Sequence, residues 1–185
     1  MGAFLGRWLS GSIRLGLSLV LALGAMQVPA LTEAYTAALL QISENARRDI
    51  DQRKEIARQH YRWTETGTDT AVIEALRPLE PANAEGLAGS VAREQMLRAT
   101  YSWLMNRPAL LRPLEAAWDI MTDADAGKRA VLRTALNSYA PQVLLGLAAA
   151  VYGLAGLMLG LLLAELILAI ARAMFRSRQP RFAAG

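Results

Sequence analysis

The 185-residue chain has no cysteine and a single histidine, His60. Without cysteine there can be no disulfide, no thiolate nucleophile and no iron–sulfur ligation. One histidine excludes multi-histidine metal sites and a two-histidine relay. Also missing are a phosphate-binding glycine loop after a strand, a zinc-binding HExxH helix and a GxSxG elbow. The acid pairs Asp49/Asp51 and Asp123/Asp125 stand two residues apart, so they do not share a helix face; capping or solvated surface explains them. The sequence therefore offers no catalytic residue, no metal set and no cofactor site, and the expectation is a protein that is not an enzyme.

Charge is missing from two stretches. Residues 143–171 read VLLGLAAAVYGLAGLMLGLLLAELILAIA, with Glu165 as the one charged group. As a helix this run reaches about 43 Å, more than the roughly 30 Å of a bilayer's hydrocarbon core. Apolar on every face, it reads as a transmembrane helix. Residues 15–31, LGLSLVLALGAMQVPAL, form a second run at the lower edge of spanning length. Its rival reading is a cleaved signal peptide ending at Val28-Pro29-Ala30. Because apolar helix pattern continues past that point, an uncleaved anchor is expected.

The net charge of +4 is concentrated beside these runs. Arg7 and Arg14 precede the first, and Arg172, Arg176, Arg178 and Arg181 follow the second, with no acid in either terminal segment. Residues 32–142 are nearly neutral, with 14 basic and 15 acidic residues. The basicity is thus a topology and headgroup signal, and no nucleic-acid footprint. It places both termini in the cytoplasm and the intervening segment in the periplasm or its equivalent. The expected organisation is a cytoplasmic N-terminus (1–14), a first span (15–31), a periplasmic helical domain (32–142), a second span (143–171) and a basic cytoplasmic tail (172–185). Trp8 and Phe175 fall at the cytoplasmic interface, Tyr35 and Tyr139 at the other, where ring anchors sit.

Between the spans, no strand alternation and no repeat is visible. Tyr35, Leu39, Ile42, Ala46, Ile50, Ile56 or Ala57, His60 and Trp63 recur at three- and four-residue steps, predicting an amphipathic helix over 31–63. His60 beside that seam reads as a packed side chain. The cluster Arg47, Arg48, Arg53, Lys54 and Arg58 is interleaved with acids and reads as a solvated face, with lipid headgroups or an acidic partner as the weaker option. Thr68 or Asp69 caps a short helix reaching Arg77. Residues 78–86 read as a loop, and Leu87 to Asn106 as a helix. Pro108 ends that helix and opens another through Trp118 to Met121, and Asp123 caps the last, which Pro141 separates from the second span. The fold class is all-α, with two transmembrane helices flanking an extramembrane domain of four or five helices. Trp63, Trp103 and Trp118 are expected in its core.

An apolar span running into Gln27-Val28-Pro29-Ala30-Leu31, a tyrosine, a long charged helix, an Asn-Ser-Tyr segment (137–139) and a second span ending near Leu-Leu-Leu-Ala-Glu-Leu (161–166) resembles a proteobacterial two-span membrane family, domain-of-unknown-function family 2937. The resemblance implies an inner-membrane protein and brings no catalytic residues.

Two features of the spans carry functional weight. Ala149, Gly153, Gly156, Gly160 and Ala164 form a small-residue stripe that lets helices approach closely. Gly16, Ser18, Ala22, Gly24 and Ala25 offer a mating surface in the first span, although a partner protein is an equal alternative. Glu165 is a costly intramembrane acid. It reads first as an interhelical or assembly lock, with Arg14 of the first span as a candidate partner, then as an interfacial acid, and last as an ion-transfer group. The leading functional expectation is an accessory, scaffold or assembly subunit, partnered by the lipid bilayer and by a membrane protein or its own copies. The alternatives are a homo-oligomeric channel with Glu165 near the pore, and an envelope protein that interacts with lipid.

Overall fold

The computed structural model describes residues 2–63, 67–122, 126–140 and 146–177, with the side chains of residues 2–7, 126, 172 and 175–177 outside the description. It contains six helices and no strand among the described residues: α1 (Gly2–Tyr61), α2 (Asp69–Leu76), α3 (Pro81–Met105), α4 (Arg112–Thr122), α5 (Ala126–Ser138) and α6 (Leu147–Ser177). The fold is all-α, and α1 and α6 are long and apolar enough to cross a membrane. The chain divides into two compact units, one of residues 1–30 with 141–185, the other of residues 31–140.

The second unit is held by two apolar clusters strung along α1 and α3. Ile50 and Ala57 of α1 meet Val72, Ile73 and Leu76 of α2 and Ala84, Leu87 and Val91 of α3. Tyr35 and Leu39 of α1 meet Leu97 and Leu104 of α3, Ala116 of α4, and Val131 and Ala135 of α5. Residue numbers rise along α1 as they fall along α3, so the two helices run antiparallel. Each buried Leu or Ile removed from water contributes roughly 1.5–3 kcal/mol.

The helix ends follow local chemistry. At the end of α1, Arg62 takes a left-handed conformation (φ 54°), and the Trp63 N–H donates to the Arg58 carbonyl. Thr68 is the N-cap of α2, its hydroxyl accepting from the Ala71 N–H at 3.3 Å. The stretch expected as a loop over 78–86 is shorter: α3 begins at Pro81. Proline is favoured in the first helical turn, where its missing N–H would be unpaired in any case. Helical register from there buries Ala84 and Leu87, each 1% exposed. The α4 helix opens at Arg112, with Pro113 at its second position, and not at Pro108. The expected caps and breaks at Asp123 and Pro141 lie outside the described residues.

Two aromatic assignments are corrected. Trp118 is 68% exposed, whereas Ala116 and Pro113 on the other side of α4 are buried. Trp63 and Trp103 are only partly buried against the clusters. Tyr35, expected as an interfacial ring, is 1% exposed and belongs to the core.

This arrangement separates two substitutions that the sequence alone would rank the other way. Leu39→Ala, at a fully buried site, is expected to cost about 2–5 kcal/mol. Trp118→Ala is expected to change stability by no more than about 0.5 kcal/mol. Thermal melts of the two full-length variants in detergent, followed by circular dichroism, check this; a larger loss for Trp118→Ala would be evidence against the packing.

Candidate functional site

The small-residue stripe of α6 lies against α1 in the first unit. A Cβ added at Gly160 would stand 2.5 Å from the Ser18 Cα, and one at Gly156 2.5 Å from the Leu21 carbonyl oxygen and 2.6 Å from the Ala25 Cβ. At Gly153 it would meet the Met26 side chain at 2.7 Å. No side chain fits at the first two positions, because the obstacle is backbone. Ala149 and Ala164 continue the same face and are buried, as are Ser18 and Ala22 opposite. The helices run antiparallel, so contacts step down α1 as they step up α6. Close approach of this kind gains dispersion contacts along the whole pair. The Ser18 hydroxyl, buried in the seam, donates to the Arg14 carbonyl at 2.6 Å. Gly16 and Gly24, expected on the mating surface, lie off it: an added Cβ meets nothing there within 4 Å. At 100° per residue, each points away from the side of α1 that carries Ser18, Ala22 and Ala25.

One turn beyond Gly160, Glu165 forms an ion pair with Arg14 of α1 at 2.9 Å. Their side chains remain 36% (Arg14) and 53% (Glu165) exposed, so the pair sits at the edge of the seam. Of the other topology arginines, the side chains of Arg7, Arg172 and Arg176 lie outside the described residues, as do Arg178 and Arg181 entirely. The same holds for the Phe175 side chain.

In the second unit the charged face of α1 is tied into local pairs. Arg53 meets Asp49 at 2.9 Å, Arg58 meets Glu55 at 2.7 Å, and Arg47 meets Asp51 at 2.8 Å. Arg47 and Lys54 also reach across to Asp69, the first residue of α2, at 2.6 and 2.7 Å. The hydrogen bond from Arg47, then that from Lys54, holds the Asp69 carboxyl below its ordinary range. This double clamp fixes the start of α2 on α1, and a groove lies farther along α1, beside the end of α2.

That groove, of about 390 Å³, opens at the far end of α1. Ala57 and Leu76 are its buried floor, and Ile56, 58% exposed, is an apolar wall. Arg53, His60, Tyr61, Glu80 and Asn83 supply its polar groups. The Tyr61 hydroxyl donates to Glu80, which also accepts from the Asn83 amide at 2.9 Å. These bonds, the tyrosine's first, hold the Glu80 carboxyl below its usual range and raise the Tyr61 phenol. His60 was expected to be packed; its ring stands edge-on to Tyr61 at 4.8 Å but is exposed on the groove. Tyr61 stacks in turn on Trp63 at 5.2 Å. Open, partly apolar and ringed with hydrogen-bonding groups, the groove can hold a side chain or short peptide segment.

Sequence reasoning missed Glu94. It is 4% exposed on α3, between the two clusters, and its Oε1 accepts no hydrogen bond from a described residue, with Arg98 at 3.6 Å. The signal was present: Glu94 occupies a three- and four-residue register with Leu87, Val91, Leu97 and Leu104.

Two outcomes follow from this geometry. Gly156→Ala is expected to lower the melting temperature of the full-length protein in detergent, overpacking costing about 1–3 kcal/mol. Gly24→Ala, with open space at its Cβ, serves as the control and should lose nothing. For Asp69, whose native carboxyl titrates below the unfolded value of about 3.9, the clamp stabilises fully above that pH and is lost as pH falls through the native pKa. Asp69→Asn should therefore melt below wild type at neutral pH, with the gap closing at pH below about 4. A gap independent of pH would remove the ionised carboxylate from the explanation.

No curated protein and no solved structure matches the chain. A family model described as "Protein of unknown function (DUF2937)" matches residues 9–177, nearly the whole length. The chain with the glycine-seamed helix pair and the clamped helical unit belongs to the DUF2937 family.

Proposed function

We propose that the protein is a non-enzymatic accessory or assembly subunit of the bacterial inner membrane, with both termini cytoplasmic and the unit of residues 31–140 periplasmic. In this reading α1 and α6 are the anchor and the groove at the end of α1 is where a membrane or periplasmic protein docks. The arginines at both ends of the chain support the orientation. So does the antiparallel contact of α1 with α6, since it brings Arg14 and Glu165 to one end of the pair.

The groove is the observation that carries the binding role. The glycine face of α6 is occupied by this chain's own α1, and so is not free for a partner. The groove, in contrast, leaves Ile56 exposed at 58% beside a set of fixed donors and acceptors. Apolar surface with a polar rim is the anatomy of a protein-docking site.

A second reading, a homo-oligomeric channel, draws on Glu165, which stays half exposed beside Arg14. Flux through vesicles containing the purified protein, abolished by Glu165→Gln, would favour it.

The test of the leading reading is a gentle-detergent pulldown of the full-length protein from its own membranes, with mass spectrometry of the eluate. Wild type and Glu165→Gln are expected to retain a stoichiometric partner that Ile56→Glu loses. Because Ile56 is exposed, that substitution should leave the fold intact, which circular dichroism verifies. An eluate holding only copies of this chain, or a partner indifferent to Ile56, overturns the docking role.

A further inference from the structure

We propose that α4 is an interfacial helix, its exposed apolar face resting in the headgroup region of the bilayer that anchors the chain. Leu114, Trp118 and Met121 recur at steps of four and three along one side of α4, and Leu111, in the turn just before the helix, stands three residues ahead of them. In chain order the four are 47%, 61%, 68% and 81% exposed. The opposite side, Pro113 and Ala116 with Ile120 beside them, is the one turned to the core. The helix is thus apolar on two faces, and the larger residues are the uncovered ones. This is not the pattern of a helix whose outer side faces water.

Three observations point to lipid as the occupant. The first is position along the chain. Ala116 belongs to the same cluster as Tyr35, which follows Ala30 by five residues along α1. Ala135 of the same cluster lies twelve residues before Leu147, where α6 begins. In sequence, both connections between the apolar helices and the helical unit thus lie within about a dozen residues of that cluster. A bilayer tethered to the same chain is present at high effective concentration, whatever else is in the compartment.

The second is charge. The segment entering the stripe, Arg107-Pro108-Ala109-Leu110-Leu111-Arg112-Pro113-Leu114, has two arginines and no acid. The Arg107 guanidinium lies over the Trp103 ring at 5.0 Å, and Arg112 donates to the carbonyls of Arg107 and Met105. Two fixed cations at the edge of an apolar face suit anionic headgroups. The third is composition, since tryptophan, leucine and methionine on one face are what interfacial helices bury.

The inference rests on the reading that α1 and α6 span a bilayer, and one experiment separates the two. The chain has no cysteine, so a single introduced thiol can carry an environment-sensitive fluorophore. Full-length Met121→Cys, Leu162→Cys on α6 and Ile56→Cys on α1 are reconstituted in vesicles of phosphatidylethanolamine and phosphatidylglycerol. The Met121 label should emit to the blue of the Ile56 label and be quenched by spin-labelled lipid at headgroup depth. The Leu162 label should be quenched at acyl depth. Adding Trp118→Glu should return the Met121 label to an aqueous spectrum with helix content unchanged. Replacing Arg107 by Gln should weaken the shallow quenching in these anionic vesicles and not in neutral ones.

A Met121 label as aqueous as Ile56, with Leu162 in lipid, overturns the role of α4 and leaves the anchor standing. Protection of Met121 from both lipid and aqueous quenchers would mean that a second copy or another protein covers α4, which also overturns it. An aqueous Leu162 label would sink the anchor and the inference together.

Discussion

The continuity of α1 is the constraint on which both units depend. Sixty residues form one helix, and Pro29 lies inside it. Proline removes one backbone donor and crowds the carbonyl four residues earlier, at a cost of about 3 kcal/mol in a helix interior. The helix nevertheless runs through, and the division between the two units falls directly after, at Ala30. Before that point α1 presents Ser18, Ala22 and Ala25 to the glycines of α6. After it, α1 presents Tyr35, Leu39, Ile50 and Ala57 to α3 and its neighbours. α1 thus carries two packing chemistries, close backbone approach before Pro29 and large aliphatic burial after it.

The two chemistries have different tolerances. The glycine seam gains from contact at the limit of van der Waals distance, so a single methyl is a collision with backbone that cannot rotate away. The leucine clusters gain from area removed from water, so they tolerate similar shapes and lose in proportion to volume. Ion pairs play a third part. Arg14–Glu165 joins α1 and α6 at the edge of their seam, and Arg47 and Lys54 lock the start of α2 to α1 through Asp69. In each case a charge whose burial would cost energy is placed where a partner from another helix offsets it.

How much of this was legible depended on whether periodicity or closeness decided the outcome. The helical class, the long first helix and the apolar α6 followed from periodicity and hydropathy. The stripe from Ala149 to Ala164 was legible as a face, because residues at three- and four-residue steps share one side of a helix whatever it meets. Its partner was not: whether Gly156 meets this chain or another is a matter of tertiary contact. Pro81 illustrates a local ambiguity. The same Pro-rich string is compatible with a loop or with a first helical turn, and the burial of Ala84 and Leu87 selects the turn. Glu94 was overlooked since an acid in a charged helix looks ordinary until its register is read against the leucines beside it.

Tyr35 and Trp118 show why aromatic residues were placed least well. Each carries a large apolar body and one polar atom, so either can serve a core or an interface. Tyr35 lies on the side of α1 that α3, α4 and α5 close over, and three elements enclose it. Trp118 lies on a helix whose small residues, Pro113 and Ala116, allow α4 to approach that same cluster closely. Close approach favours small side chains inward, which leaves Leu114, Trp118 and Met121 of α4 outward. A scale that ranks residues by size and hydrophobicity therefore assigns α4 the wrong inner face. The inner face is set by how near the neighbouring backbone can come, and the outer face by what medium is available to receive it.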